Sequence, residues 1–496
     1  MTSFPYYTWF SRLRQRDFTG SRGLLRHPGP SRPAVNRLTQ SPVTLPRFVK
    51  RSAVAQRYLR LLGDLDWMHF PERDLATGWT LPPVPYAPFV AACLVKLNER
   101  FVYMAQLYHY LVEHPALSWV LGFPLVTPRF RPWRFDVQTS LPTARHFTRL
   151  LRKMPNTVCQ YLLDETVRLI RAELHPVAPD FGQAISLDTK HILAWVKENN
   201  PKAYVKERFA KERQPTGDPD CRLGCKRRRN QRASSDNPPP TPSDNPVPAN
   251  TISVGEYYWG YASGVVATKI PGWGEVVLAE LTLPFDQPDV AYFQPLMADT
   301  ERRLGFRPRY GAFDAGYDAF YIYEYFQREN QPIEAGFAAV PRSKRGGKRR
   351  QFDAQGLPLC AAGLSMPLKY TYICRTTRVE HERGRYACPL VFPEPTGQIC
   401  PIDHKNWPKG CITTLATSIG ARIRHQLNRA SDLYKDIYRQ RTATERINSQ
   451  AKDLGIERPR LRNQQAITNQ NTLIYVLINL RALQRIRFQK QEQDEV

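Results

Sequence analysis

The chain lacks any apolar run long enough to span a bilayer. Its two most apolar stretches, residues 84–97 and 472–480, are short, and the second runs into Arg481. No transmembrane helix is therefore expected. Residues 1–30 are Arg-rich without an apolar core, so no secretory signal is expected either. With no export signal, the nine cysteines are expected to be reduced thiols or metal ligands rather than disulfides. Acid is also scarce. There are 45 Asp and Glu against 71 Lys and Arg, a net charge of +26. That balance argues against an ordinary metabolic enzyme and for a polyanionic partner, most simply nucleic acid. A membrane-surface protein is the rival, but the basic stretches lack the Trp/Phe/Leu face such helices carry.

At 496 residues, with 42% apolar residues, the chain has room for two or three domains and a sizeable core. The first 60 residues hold twelve Lys and Arg and one acid, Asp17. They are expected to form a basic, disordered arm for nucleic acid, ahead of the alternative of a mitochondrial transit peptide. Residues 61–178 are expected to be helical. Short helices at 89–98, 101–113 and 116–121, with tight links, suit a helix-turn-helix module or a plain bundle. Asn156 is placed as the N-cap of a helix ending at Leu174.

The pattern then changes. Residues 184–188 alternate as a strand. Residues 206–250, with Lys226-Arg227-Arg228-Arg229 and a proline-rich tail, are expected to be a linker without a core. Strands return at 257–269 and 275–283, with Gly272 and Gly274 turning a hairpin. Asp286 and Asp289, flanked by prolines, are read as turn residues. Another strand is expected at 309–313. A helix capped by Asp318 and a strand-like stretch at 333–340 follow. Residues 341–411 form a basic and Cys-rich insertion. It opens on Arg342, Lys344, Arg345, Lys348, Arg349 and Arg350, a candidate phosphate-contacting loop. Helices resume near 421 and continue to about 488.

One helix is expected to span residues 436–452. On it Tyr438, Arg441, Glu445 and Lys452 are spaced three, four and seven apart. At ~100° per residue these four fall within about 60° of one another. A carboxylate flanked by cations suits a metal-bound phosphate. A solvated face with i,i+4 pairs is the plain alternative. Two further acids, Asp188 and Asp314, end apolar strands. Strand, hairpin, strand and then helices, with acids at strand ends, resembles a ribonuclease-H-like core. The fold class expected is α/β. The core comprises residues 179–205, 251–340 and 412–490, with an N-terminal all-α domain and a β-rich insertion. In such a core, carboxylates hold two metal ions that clamp an in-line displacement.

Tyr438, Arg441, Glu445 and Lys452 match the Y-(2)-R-(3)-E-(6)-K signature of bacterial insertion-sequence transposases of the DDE type. The segment from Phe313 to Asp318 resembles that family's second-aspartate motif, and Leu187-Asp188 its first. The helical stretch ending at Gly122 is similar to the domain preceding the catalytic core there. The resemblance covers residues 60–488, apart from the linker and the insertion. It implies a metal-dependent polynucleotidyl transferase in which Asp188, Asp314 and Glu445 hold two Mg²⁺ ions, with Mn²⁺ as an alternative. Tyr438, Arg441 and Lys452 would hold the DNA end. The partners implied are the terminal inverted repeats of a mobile element and target DNA, with two copies of the chain assembled on them. A bacterial cytoplasmic, nucleoid-associated location follows, with no membrane partner. A nuclease or resolvase without strand transfer, and a decayed transposase that only binds DNA, are the competing readings.

Cys374, Cys388, Cys400 and Cys411, with His381 and His404 nearby, are a candidate zinc set that would tie down an insertion without its own core. No pair among them has C-x₂₋₄-C spacing, and Cys388-Pro389 and Cys400-Pro401 also suit ordinary turns. His191, three residues past Asp188, is read as a structural histidine.

Overall fold

The computed structural model describes residues 45–73, 85–123, 140–226, 256–342, 349–375, 379–402 and 407–494. The arm up to residue 44, linker residues 227–250, Lys344, Arg345, Lys348 and His404 lie outside the described residues.

Helices α1 (Arg47–Lys50), α2 (Ala53–Leu62), α3 (Tyr86–Asn98), α4 (Met104–Glu113), α5 (Pro115–Val120), α6 (Ala144–Lys153) and α7 (Thr157–Leu174) come first. Strands β1 (Ala184–Leu193), β2 (Arg222–Cys225), β3 (Tyr257–Ile270) and β4 (Gly274–Pro284) follow. Then come α8 (Phe293–Leu304), β5 (Tyr310–Ala312), α9 (Phe320–Phe326), β6 (Phe337–Ala339), β7 (Leu368–Cys374), β8 (His381–Ala387) and β9 (Ile412–Ala416). The chain ends with α10 (Ile419–Gln426), α11 (Asp432–Arg439), α12 (Thr442–Asp453) and α13 (Gln464–Asp494). The protein is mixed α/β, and no helix among the described residues is long and apolar enough to cross a membrane. It divides into two compact units.

Unit one comprises Met1–Phe181, Thr189–Pro288 and Glu445–Val496. Its centre is α13, which packs against α3, α6, α7 and β4. Eleven of the thirteen residues of α3 are buried, which suits a helix inside a bundle. The β3–β4 hairpin turns at Gly272 and Gly274, whose φ values of 81° and 108° favour glycine. Both strands are buried on both faces, which is why their sequence is a continuous apolar run rather than an alternation.

Polar groups fix how α13 lies on β4. Asn479 Oδ1 accepts the Val277 N–H at 2.8 Å, and its Nδ2 donates to the Val277 carbonyl at 2.8 Å. The side chain thus takes the place of a neighbouring strand. Glu280 accepts from Gln160 at 3.0 Å and from the Thr472 hydroxyl. Asn479→Ala is expected to leave two buried backbone groups unsatisfied, at about 1–3 kcal/mol each. The urea midpoint of unfolding measures this, and an unchanged midpoint would show that water replaces the amide.

Two expectations change in this unit. Asn156 stands at the N-cap position of α7, which ends at Leu174 as expected, but its side chain makes no capping bond. It donates instead to Asn469 and Thr472 at 3.0 and 2.8 Å, tying the start of α7 to α13. The first part of the expected linker is structured. β2 pairs with β3, Cys221 is fully buried, and Asp218 accepts from Tyr261 at 2.7 Å. Asp220 accepts the Gln464 N–H at 2.9 Å, an acid at the first turn of α13. These polar anchors leave no apolar signature, so composition alone suggests a loose segment.

Unit two comprises Gly182–Asp188 and Asp289–Thr444. The first half of β1 pairs in parallel with β5, and β5 pairs in parallel with β6. Separately, β7 and β8 of the Cys-rich stretch form an antiparallel sheet with β9, which follows that stretch and lies in the segment expected to belong to the core. Helices α9 and α10 approach closely because Gly420 has no side chain. A Cβ there would stand 2.1 Å from the Phe320 carbonyl oxygen.

Candidate active site

The parallel register places Ile185 opposite Gly311 and Ser186 opposite Ala312. The pairing ends there; Asp188 and Asp314 each lie two residues beyond it, and both charges act on the Tyr317 phenol. Neighbouring strands lie about 4.8 Å apart, close enough for two carboxylates to share one cation. Asp314 also caps the 3₁₀ turn Ala315–Tyr317, its Oδ1 accepting the Gly316 N–H at 2.7 Å. The bond fixes the direction of this carboxylate.

Tyr317 lies near the pair. It is 1% exposed, and its hydroxyl has no hydrogen-bond partner among the described residues. Burial, then the charges of Asp289, Asp188 and Asp314, holds this phenol well above its ordinary range. A protonated hydroxyl therefore sits in the field of three carboxylates. Asp289, read in sequence as a turn residue, has this second role. It opens the 3₁₀ turn Asp289–Tyr292, which packs on the turn after Asp314. The preceding Pro288 conceals this, since proline-flanked acids usually serve turns.

Asp318 does not cap α9; Ala319 occupies that position. The Asp318 carboxylate, 1% exposed, receives Nε and Nη2 of Arg424 at 2.7 Å each and the Tyr323 hydroxyl at 2.8 Å. An acid shortly before a helix looks like a cap, and a partner 106 residues away leaves no local sign.

The expected single helix at 436–452 is broken. α11 ends at Arg439 and α12 begins at Thr442. At the junction Gln440 and Arg441 donate three residues back, to Ile437 and Tyr438. The Thr442 and Thr444 hydroxyls donate to the Arg439 and Arg441 carbonyls at 2.9 and 3.0 Å. Threonine hydroxyls that bond backbone carbonyls favour such a bend. Tyr438 and Arg441 therefore belong to unit two, and Glu445 and Lys452, both exposed on α12, to unit one. The helical spacing still holds within α12, where seven residues return Lys452 to within about 20° of Glu445. Tyr438 stacks on Tyr434 at 6.0 Å and 9°, and Tyr434 stacks on Phe337. The Arg441 guanidinium lies 6.0 Å from the Tyr438 ring centre. Arg446 pairs with Glu275 at 2.6 Å and serves the fold.

Three residues of the basic loop are described. Arg342 is half-buried, and Arg349 donates to the His425 carbonyl at 3.0 Å. Arg350 is also half-buried, its backbone N–H on His425 Nδ1 at 3.2 Å. Burial, then Arg342, Arg424 and Arg350, lowers the His425 pKa to about 4. An unfolded histidine titrates near 6.5. The unfolded chain therefore binds more protons between these values. Stability from neutral His425 is full above about 6.5 and is lost as pH falls toward about 4. Chemical denaturation at pH 7 and pH 5 should show this loss in the parent chain, and a smaller one in His425→Gln. Equal losses in both would refute it.

The candidate zinc cysteines are divided. Cys374 pairs with His381 at one end of β8, whereas Cys388 follows its other end. Seven residues of strand separate those positions by roughly 23 Å, so no single ion reaches both. Cys388 and Cys411 continue the β8–β9 ladder past Ala387 and Ile412 and are neighbours. Burial, Cys388 and Cys360 raise the Cys411 thiol to about 11. Cys360, not among the four expected, thus lies nearer this pair than Cys374. Cys400 is half-buried. His191 packs on Phe285 and Tyr258, as a structural histidine does.

Among the described residues no three His, Cys, Asp or Glu side chains stand together as a metal-binding group. No family model matches the chain, and no curated protein matches it.

Proposed function

We propose that this chain is a DDE-type transposase that cuts DNA at the ends of a mobile element and joins the freed 3′-OH ends to target DNA. The observation that carries this reading is the parallel pairing of Ala184–Ser186 with Tyr310–Ala312, beyond which Asp188, midway along β1, and Asp314, just past β5, each follow two residues on. The ribonuclease-H-like fold is part of the proposal. It is supported by β1, which pairs with β3 on one side and in parallel with β5 on the other. The net charge of +26 suits DNA.

The donor set fits a hard divalent cation. Asp188 and Asp314 offer carboxylate oxygens, and the unpartnered Tyr317 hydroxyl lies near them. Asp188, Asp314 and Glu445 would hold Mg²⁺, which supplies an activated water and neutralises charge on the phosphate. The protein's own contribution is positional. Gly316 holds the Asp314 carboxylate in one orientation. The stack of Tyr438, Tyr434 and Phe337 presents a ring and the Arg441 cation to a DNA strand. Lys452, Arg342, Arg349 and Arg350 would contact phosphates.

The test is an incubation of the purified chain with Mg²⁺, a duplex carrying the DNA that flanks its gene, and a supercoiled target plasmid. Cleavage at a fixed end followed by joined product is expected. Cleavage without joining would leave only the nuclease reading, and neither would leave only DNA binding.

A further inference from the structure

Unit two holds a half-open cavity of about 600 Å³ between α9, α10 and the β8–β9 strands. Ala315 and Gly316, directly after Asp314, line part of it. Its size is in the range of small-ligand pockets. Its charge is uneven. Arg424 is neutralised by Asp318, and His425 is neutral near pH 7 because its pKa lies near 4. Two guanidinium groups remain. Arg350 is half-buried, and its side chain has no ion-pair or hydrogen-bond partner among the described residues. Arg383 reaches the Thr414 carbonyl at only 3.5 Å, and its buried Nε has no partner among the described residues. Arginine stays charged at any physiological pH. Two half-buried cations without an acid are costly unless an anion joins them. One wall is aromatic: Phe320 and His381 lie 4.5 Å apart, tilted by 42°.

We propose that this cavity binds one nucleotide, with its phosphate between Arg350 and Arg383 and its base against Phe320 and His381. The nucleotide is either free or an unpaired residue of a DNA strand, since both present the same chemistry. The strand form rests on the transposase reading, and it would place the next phosphodiester towards Asp314. Rings and guanidinium groups are the means by which proteins hold unstacked bases without reading the duplex.

Binding is measured on the full chain without divalent metal, so that cleavage plays no part. The probes are dAMP, inorganic phosphate, a duplex with a three-nucleotide single-stranded end, and its blunt counterpart. The parent chain should bind dAMP, and the tailed duplex more tightly than the blunt one. Arg350→Gln and Arg383→Gln should each weaken dAMP and the tail-dependent gain about tenfold, the loss of one charge-assisted contact. Phe320→Leu should weaken dAMP but not phosphate. Arg350→Gln should also melt no lower than the parent, because it removes a cation that has no partner. If dAMP binds but the tail adds nothing, the source is the free nucleotide. Several results overturn the proposal: no dAMP or tail-dependent binding by the parent, unaltered binding by the variants, or equal losses on blunt duplex. A chain that passes these assays but cuts no DNA would keep the pocket and refute the transposase reading.

Discussion

Asp188→Asn and Asp314→Asn are each expected to abolish cleavage at element ends while leaving binding to those ends within about twofold of the parent. A metal at a phosphodiester contributes several kcal/mol of charge stabilisation, and losing it lowers the rate by roughly 10³-fold or more. Asparagine is the informative replacement. At position 314 the amide keeps an oxygen for the Gly316 N–H, which the parent carboxylate accepts at 2.7 Å. Asp314→Ala would also lose that cap, at about 1 kcal/mol, and confuse folding with chemistry. Removing one negative charge should, if anything, favour DNA. Glu445→Gln, on the exposed face of α12, is expected to behave the same way. The assay is quantified end cleavage with Mg²⁺, beside gel-shift binding without metal. Near-parent cleavage in any one variant removes that residue from the metal site. Cleavage and binding lost together would mean that the carboxylate holds the fold.

Much of what positions this pair is legible in the sequence, for a local reason. Two glycines between apolar runs mark the hairpin from 257 to 284, and its observed turn uses both at positive φ. Asp188 and Asp314 are recognisable because each follows an apolar run. What the sequence conceals depends on distant partners. Asp318 and Asn156 occupy positions that caps favour, yet their side chains reach Arg424 and α13. The break at Gln440 is hidden because Gln440 and Arg441 are good helix formers. The threonine hydroxyls that shape the turn look in sequence like ordinary helix-surface residues. Spacing along the chain favours Cys374 over Cys360, because it says nothing about which end of β8 a thiol occupies. Asp289 escapes notice because Pro288 precedes it in a proline-rich turn, and only the folded turn brings it towards Tyr317.

Arg424→Ala should be among the most destabilising single changes in unit two. Asp318 is almost completely buried and depends on that guanidinium for two of its bonds. The Tyr323 hydroxyl, donating to the same carboxylate at 2.8 Å, is a neutral group and cannot replace the cation. Removing one member of a buried pair leaves an uncompensated charge, at about 3–5 kcal/mol. For a unit of this size that corresponds to a fall of roughly 10 °C or more in melting temperature. The mirror variant, Asp318→Ala, should cost less. Arg424 is 22% exposed, so water can solvate part of the stranded cation. Removing both members, as Asp318→Leu with Arg424→Met, should restore most of the loss, since apolar replacements of a buried pair are often neutral. The double-mutant cycle separates the coupling from packing. Additive losses would mean that the pair contributes only through space filling. The expected non-additivity would show that an ion pair between α10 and the turn before α9 holds together the wall of the cavity beside Asp314.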